Sequence, residues 1–311
     1  MFFWISLFII FSASLAAGFI TWVKIDRKYH SSLSVASAYD SWTSDQLLEK
    51  LWGEHVHLGY YTKSLRETDF RTAKIDFVHQ LVRWSGLSNL PRGSRVLDVG
   101  CGIGGSSRIL AEDYGFEVIG ITISKEQVKR AQELTPPHMF CRFEVMNALN
   151  LRFENGSFDG VWSVEAGPHM PDKQLYADEM LRVLRPGGVL AVADWNSKET
   201  TSGLMNSWEK FVMSQLLNQW AHPEFASING FQKNLLNSRF CGSNVEIDDW
   251  TDFTLPSWID SILEGIRRPI AIIQLGPGAF FKALREIPTI LLMQWAFANG
   301  LMRFGVFRAR G

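Results

Sequence analysis

A chain of 311 residues, 46% hydrophobic and 20% charged, is long enough for one substantial domain with appendages and too apolar to be disordered. Its formal net charge of -1 gives no electrostatic case for a nucleic-acid partner. Three cysteines, Cys101, Cys141 and Cys241, cannot build a disulfide framework, and with no CxxC pair or other recognisable ligand spacing no metal is expected.

The first element is apolar. Residues 1–23 carry no charged side chain. As a helix they would run about 34 Å at ~1.5 Å per residue, enough for a hydrocarbon core of about 30 Å. Trp4 and Trp22 would stand about 27 Å apart, near the two interfaces that indoles prefer. Lys24, Arg27 and Lys28 follow, and no Lys or Arg precedes. The expectation is an uncleaved single-pass N-terminal transmembrane helix with the bulk of the chain on the cytoplasmic side. A cleaved signal peptide, favoured by small residues at 12–18, would want a basic leading end and a shorter apolar core.

After a polar, partly helical stretch at 31–65 comes a predicted amphipathic helix, Asp69 to Trp84, with Ile75, Phe77, Val78, Leu81 and Val82 on one side and Gly86 placed to end it. Strands and helices then alternate. Strands are predicted at 95–99, 117–121, 140–145, 157–163 and 189–193, and helices at 106–114, 125–134 and 173–184, with Arg185-Pro186-Gly187-Gly188 as a turn. Such alternation implies parallel strands with helices on both faces. From 197 to 240 the pattern turns helical and rich in Trp, Phe and Leu, as in an inserted cap. Late strands are expected at 245–250 and 301–308. Gly276 to Phe281 reads either as a hinge or as a loop touching a membrane.

The run Val96-Leu97-Asp98-Val99-Gly100-Cys101-Gly102-Ile103-Gly104-Gly105 falls where the first strand turns into a helix. Glycines suit a turn whose backbone a ligand must approach closely. Gly100, Gly102 and Gly105 would also satisfy a dinucleotide fingerprint. Asp98 separates the two readings: an acid under the turn can accept hydrogen bonds from an ammonium group but would repel a pyrophosphate.

That run, together with GITIS (120–124), FDGVWSVEAGPHMPDK (158–173) and LRPGGVLAVADW (184–195), resembles the S-adenosylmethionine-dependent methyltransferases of the tocopherol methyltransferase type. Within that type, both ends of the chain resemble the membrane-anchored 2-methyl-6-phytyl-1,4-benzoquinol methyltransferases, through the apolar leader, SVASAYDSWT (34–43), WGEHVHLGYY (52–61) and the closing segment 285–309. The resemblance covers nearly the whole chain. It implies a Rossmann-like class I methyltransferase of α/β class, with a mostly parallel seven-stranded sheet and a helical cap. Residues 1–23 would be the anchor, 24–68 an N-terminal lid, 69–196 the S-adenosylmethionine-binding core, and 197–311 the cap with the last strands.

The resemblance also implies roles. Asp98, Gly100, Gly102 and Gly104 would line the methionine and ribose part of S-adenosyl-L-methionine, with Cys101 a small packing residue beside it. Many relatives place an acid at the end of the second strand for the ribose. Here Thr122 stands there, followed by Ile123, and Gln127 is the implied replacement. Asn147, next to Ala148, takes the place of an Asp that accepts from the adenine amine, and an amide oxygen can do the same. Trp162, Ser163 and Glu165 should face the transferable methyl. The acceptor ring must be made electron-rich, and ionising a phenol of pKa near 10 at pH 7 costs about 4 kcal/mol without help. His169 is the first candidate for that help, then His55 and His57, with Glu165 orienting cofactor or substrate. His30, His79, His138 and His222 lack a motif and read as structural or solvated. A prenyl tail would lie in a groove formed by Trp208 to Trp220, with Phe211, Leu216 and Leu217, and by the helix from Ile287 to Phe297. The expected partners are a prenylated quinol in the bilayer and membrane lipid, with no nucleic acid. The alternatives are a γ-tocopherol methyltransferase, an inactive S-adenosylmethionine-binding scaffold, and a nicotinamide-dependent reductase, which Thr122 disfavours.

Overall fold

The structure, a computed structural model, describes residues 14, 17–18, 21, 28–44, 46–63, 67–199, 205–242, 244–274 and 276–311. Helices α1 (Ser32–Ser44) and α2 (Leu47–Trp52) lie ahead of the sheet. Helix α3 (Phe70–Ser85) starts where the Asp69 side chain accepts from the Thr72 N–H and stops at Gly86, which has φ +81°. Its buried face is Phe70, Ala73, Phe77, Val78, Leu81 and Val82, spaced at three and four residues. Ile75, expected on that face, lies at its edge and is exposed, whereas Lys74 is buried within it.

The alternating pattern produces β1 (Arg95–Val99), α4 (Gly105–Glu112), β2 (Glu117–Thr122), α5 (Lys125–Leu134), β3 (Cys141–Val145), β4 (Phe158–Val164), α6 (Lys173–Val183) and β5 (Leu184–Ser197). Helices α7 (Ser207–Gln219) and α8 (Ile228–Asn237) follow, then β6 (Glu246–Asp249). A run of helices comes next, α9 (Thr251–Thr254), α10 (Pro256–Arg267), α11 (Pro269–Gln274) and α12 (Pro277–Ala298), and the chain closes with β7 (Met302–Arg310). The seven strands lie in the order β3-β2-β1-β4-β5-β7-β6. Strands β1 to β5 pair in parallel, and β7 runs antiparallel to both β5 and β6. The order reverses between β1 and β4, so a crevice opens at the carboxyl ends of these strands, where Asp98 pairs across to Gly120 and Trp162.

One core lies between the sheet and α3, α7, α10 and α12, with Phe77, Leu81, Val212, Leu216, Met293 and Phe297 at its centre. The other lies under α6 and α8, around Tyr176, Met180, Leu181, Phe231 and Leu235. The 197–240 stretch is thus divided between the two faces of the sheet. Two local expectations change. Residues 185–188 are no free turn but part of β5, whose pairing with β4 shifts register between Phe158↔Leu184 and Gly160↔Val189. Gly276 to Phe281 is neither hinge nor loop: Gly276 caps α12, and Pro277 opens that helix.

The expected membrane anchor and the cytoplasmic placement derived from it are corrected. Among the described residues no helix is long and apolar enough to cross a membrane. The apolar run at 1–23 falls almost wholly outside the described residues. An uncharged stretch meets the length requirement of a span without being evidence of one.

Candidate active site

The carboxyl ends of β1, β2 and β4, with the segment 54–58 and α1, enclose a cavity of about 660 Å³. Asp98, Gly100, Cys101, Gly102, Thr122, Ile123, Gln127, Asn147 and Ala148 line one half. Glu165, His169, His55 and His57 stand beside them in the same space. Asp98 is buried at the end of β1 and accepts from Ser107 Oγ at 2.5 Å. Burial pushes its carboxyl up to about 7, against the opposing pull of that hydrogen bond. Gly102, at φ +54°, has open space where a Cβ would project, which leaves a cradle for a ligand. Cys101 packs against Gly120, and burial raises its thiol well above the usual range, so it is no nucleophile. Thr122 Oγ1 donates to Gln127 Oε1 at 2.7 Å, joining the end of β2 to the first turn of α5. Asn147 Oδ1 accepts from the Leu149 N–H at 2.9 Å, so one of its lone pairs is already used.

Two expected cofactor residues stand elsewhere. Gly104 does not line the cavity: a Cβ there would strike Phe143 and Arg108, so this glycine serves packing, and Gly105 takes its place at the wall. Ser163 points to the opposite face of β4, with its Oγ bonded to the Val99 carbonyl and Tyr176 Oη. Side chains alternate along a strand, so Trp162 and Val164 face the cavity and Ser163 cannot.

The histidines differ in what their nitrogens can do. His57 Nδ1 donates to the Leu58 carbonyl at 2.8 Å, which leaves Nε2 to accept from His55 Nδ1 at 3.2 Å. Both ring nitrogens of His57 are thereby occupied, and burial holds it neutral, with its pKa pushed down to about 3. His57 therefore supports His55 instead of taking a proton. His169 Nε2 meets Tyr39 Oη at 2.7 Å, while Nδ1 is buried without a partner among the described residues. Burial lowers His169 to about 3. Its ring stacks on His222 at 4.3 Å between centroids. His222 keeps an Nδ1 that is buried without a partner among the described residues, and burial holds its ring neutral. Nothing near His222 in the chain marks it. Only the fold brings it to His169.

Glu165 follows β4 in the left-handed region, at φ +55°, a conformation non-glycine residues adopt mainly where the surroundings demand it. Its Oε1 accepts from the Leu58 N–H at 2.7 Å. Burial raises the carboxyl to about 8, with the Leu58 N–H pulling the other way. Glu165 thus fastens the 54–58 segment over the site.

The far half of the cavity is aromatic and aliphatic. Trp195 and Trp220 pack around His222, and Trp258 packs on both of them, edge to face with Trp195 at 5.3 Å. Beyond them the walls are Leu51 and Trp52 of α2, Ile262 and Ile266 of α10, and Ile287 and Ile290 of α12. The expected tail groove is therefore half corrected. Ile287 and Trp220 line it, but Leu216 is buried in the core and neither Phe211 nor Leu217 reaches the cavity.

An amino-acid-bearing nucleoside fits the first half: a buried carboxylate for an ammonium group, an open glycine, the N-terminus of α4, and side-chain amides at Gln127 and Asn147. Comparison with known proteins agrees. Residues 97–192 match the family described as Methyltransferase domain. The chain is 56% identical to the 2-methyl-6-phytyl-1,4-hydroquinone methyltransferase of Synechocystis sp., over 96% of this chain and 93% of that one. It is 32% identical to the chloroplastic tocopherol O-methyltransferase of Arabidopsis thaliana, over 84% and 77%. Among solved structures, the cyclopropane synthase MmaA2 from Mycobacterium tuberculosis superposes with a TM-score of 0.73 at 16% identity, covering 89% of this chain and 97% of that one, a likeness of fold alone. The chain belongs to the S-adenosylmethionine-dependent methyltransferase family that includes the 2-methyl-6-phytyl-1,4-hydroquinone and tocopherol methyltransferases.

Proposed function

We propose that this enzyme methylates a ring carbon of 2-methyl-6-phytyl-1,4-benzoquinol in tocopherol synthesis. The observation that carries the reading is the 56% identity, over nearly all of both chains, to a methyltransferase named for that hydroquinone. The cavity supports it, because a polar cofactor half continues into an apolar half suited to a ring with a prenyl tail.

When bound, S-adenosylmethionine supplies an electrophilic methyl group on a cationic sulfur. Asp98 would hold the amino-acid end, and Gln127 and Asn147 the nucleoside end. In-line displacement demands alignment above all. Trp195, Trp220 and Trp258 would clasp the flat acceptor ring, and Ile262, Ile287 and Ile290 would take the tail. A ring hydroxyl placed at the stacked imidazoles would find unpartnered nitrogens on His169 and His222, both neutral because burial disfavours the charged form. A lone pair there accepts a hydrogen bond from the hydroxyl and raises electron density on the ring carbon that attacks the methyl. The carbon–carbon bond forms as the methyl–sulfur bond breaks with its electron pair staying on sulfur, and the ring carbon then loses its proton. Glu165 and His57 hold the segment bearing His55 in place.

The test offers radiolabelled S-adenosylmethionine with 2-methyl-6-phytyl-1,4-benzoquinol and, separately, γ-tocopherol. Label in a dimethyl phytylbenzoquinol is expected. Label only in α-tocopherol would overturn the acceptor assignment. In the same assay His222→Ala should lower kcat by roughly a hundredfold, the scale of a positioned acid–base group, with little change in cofactor affinity. Full activity in that variant would remove His222 from the chemistry.

A further inference from the structure

Segment 54–58 roofs the cavity and is held from both ends. Leu58 is fixed to Glu165, and Lys74, buried on α3, donates to the His55 carbonyl at 2.6 Å. The other hold comes from Arg108 on α4, itself buried. Its Nε and Nη2 donate to Glu54 Oε2 at 3.1 and 2.6 Å, while Nη1 donates to the Ile103 carbonyl of the glycine loop at 2.9 Å and to Thr135 Oγ1 at 3.2 Å. The roof also rests directly on the loop's helix, since a Cβ on Gly105 would lie 2.5 Å from the Glu54 carbonyl oxygen and 2.9 Å from the His55 ring.

We infer that Arg108 is a positioning residue that ties the acceptor-side roof to the cofactor loop, so that a cofactor seated against residues 100–105 also orders residues 54–58. One planar guanidinium bridges the two because its donors point in fixed, divergent directions. A lysine ammonium can satisfy one side but not both in that geometry. Binding to the loop restricts the Ile103 carbonyl, Arg108 carries the restriction to Glu54, and the chain delivers it to His55 and, through Leu58, to Glu165. By linkage, an acceptor that favours the ordered roof must tighten cofactor binding by the same factor. The inference rests on the proposed reading of the cavity as a joint cofactor and acceptor site.

Hydrogen exchange of the full chain, with and without saturating S-adenosylhomocysteine, tests it. In the wild type, exchange of the amides at 54–58 should slow at least tenfold on saturation. In Arg108→Lys, saturated to the same degree, that protection should fall to less than twofold while the strands of the sheet stay protected. Equal protection in both proteins, or none in the wild type, would overturn the inference. If Arg108→Lys fails to fold, Glu54→Gln carries the test, because Glu54 is half-exposed and its replacement keeps an acceptor oxygen. At least a threefold loss of protection is expected there, and undiminished protection would equally overturn the inference. A wrong acceptor would appear instead as absence of methyl transfer with the exchange result intact, so the two failures are distinct.

Discussion

Asp98 is buried and near its midpoint at neutral pH, because burial raises its carboxyl to about 7. An ammonium group needs the carboxylate form. Cofactor binding should therefore weaken as pH falls through 7, by about fivefold between pH 7 and pH 6, and level off above pH 8. The sign follows from the direction of the shift: a protonated Asp98 must lose its proton before it can pair, so binding releases a proton at pH 6. Calorimetric titration with S-adenosylhomocysteine from pH 6 to 8, in two buffers of different ionisation enthalpy, measures both. An affinity flat across that range would separate Asp98 from the ammonium. The acid inside a glycine-loop strand was legible from residue order alone. The pairing of His169 with His222 was not, because two side chains from distant segments meet only when the 3₁₀ turn Gly167–His169 and the chain after α7 fold over the same strand ends.

At the scale of elements, the glycine loop and the roof act as one unit. Gly105 opens α4, where alanine would be the better helix former, yet a Cβ at this position collides with the Glu54 carbonyl of the roof, which is backbone and cannot turn aside, as well as with the His55 ring. Gly105→Ala should leave the melting temperature within a few degrees of the wild type and lower kcat/KM by at least tenfold, as thermal unfolding and steady-state kinetics would show. Wild-type kinetics would mean that the roof lifts without consequence. Element identity from β1 to α6 was legible: period-two and 3.6-residue patterns located those strands and helices to within a residue or two, as at Arg95–Val99 and Lys125–Leu134. By contrast, β5 extends four or five residues beyond the expected 189–193 at each end, and the helices at 256–274 carried no signal that was read. Which glycine faces ligand and which faces protein was not legible. Gly102, Gly104 and Gly105 look alike in sequence, and only their neighbours distinguish open space, Phe143 with Arg108, and Glu54 with His55.

At the scale of the molecule, one cavity draws walls from α1, α2, the sheet, α10 and α12, so its occupant bridges parts of the chain far apart in sequence. A ligand that binds only the folded state stabilises it by about 2.7 kcal/mol at a hundred times its Kd. For a chain of 311 residues, at about 2.1 cal/mol/K of unfolding entropy per residue, that is roughly 4 °C in Tm. Differential scanning calorimetry with S-adenosylhomocysteine checks this, and an unchanged Tm at saturation would mean that the cavity does not hold it.

The order of elements, the acid and glycines of the loop, and the resemblance of nearly the whole chain to prenylquinol methyltransferases were all carried by the sequence, because these are local patterns that survive without knowledge of neighbours. The apolar leader shows the limit of local pattern, since hydropathy alone says what a segment could do and not what it does. The facing of Ser163, the occupied nitrogens of His57, the unpartnered nitrogen of His222 and the grip of Arg108 on Ile103 and Glu54 were decided by tertiary structure alone. Each depends on which atoms from remote segments come within hydrogen-bonding distance, about 3 Å, and no spacing along the chain encodes that.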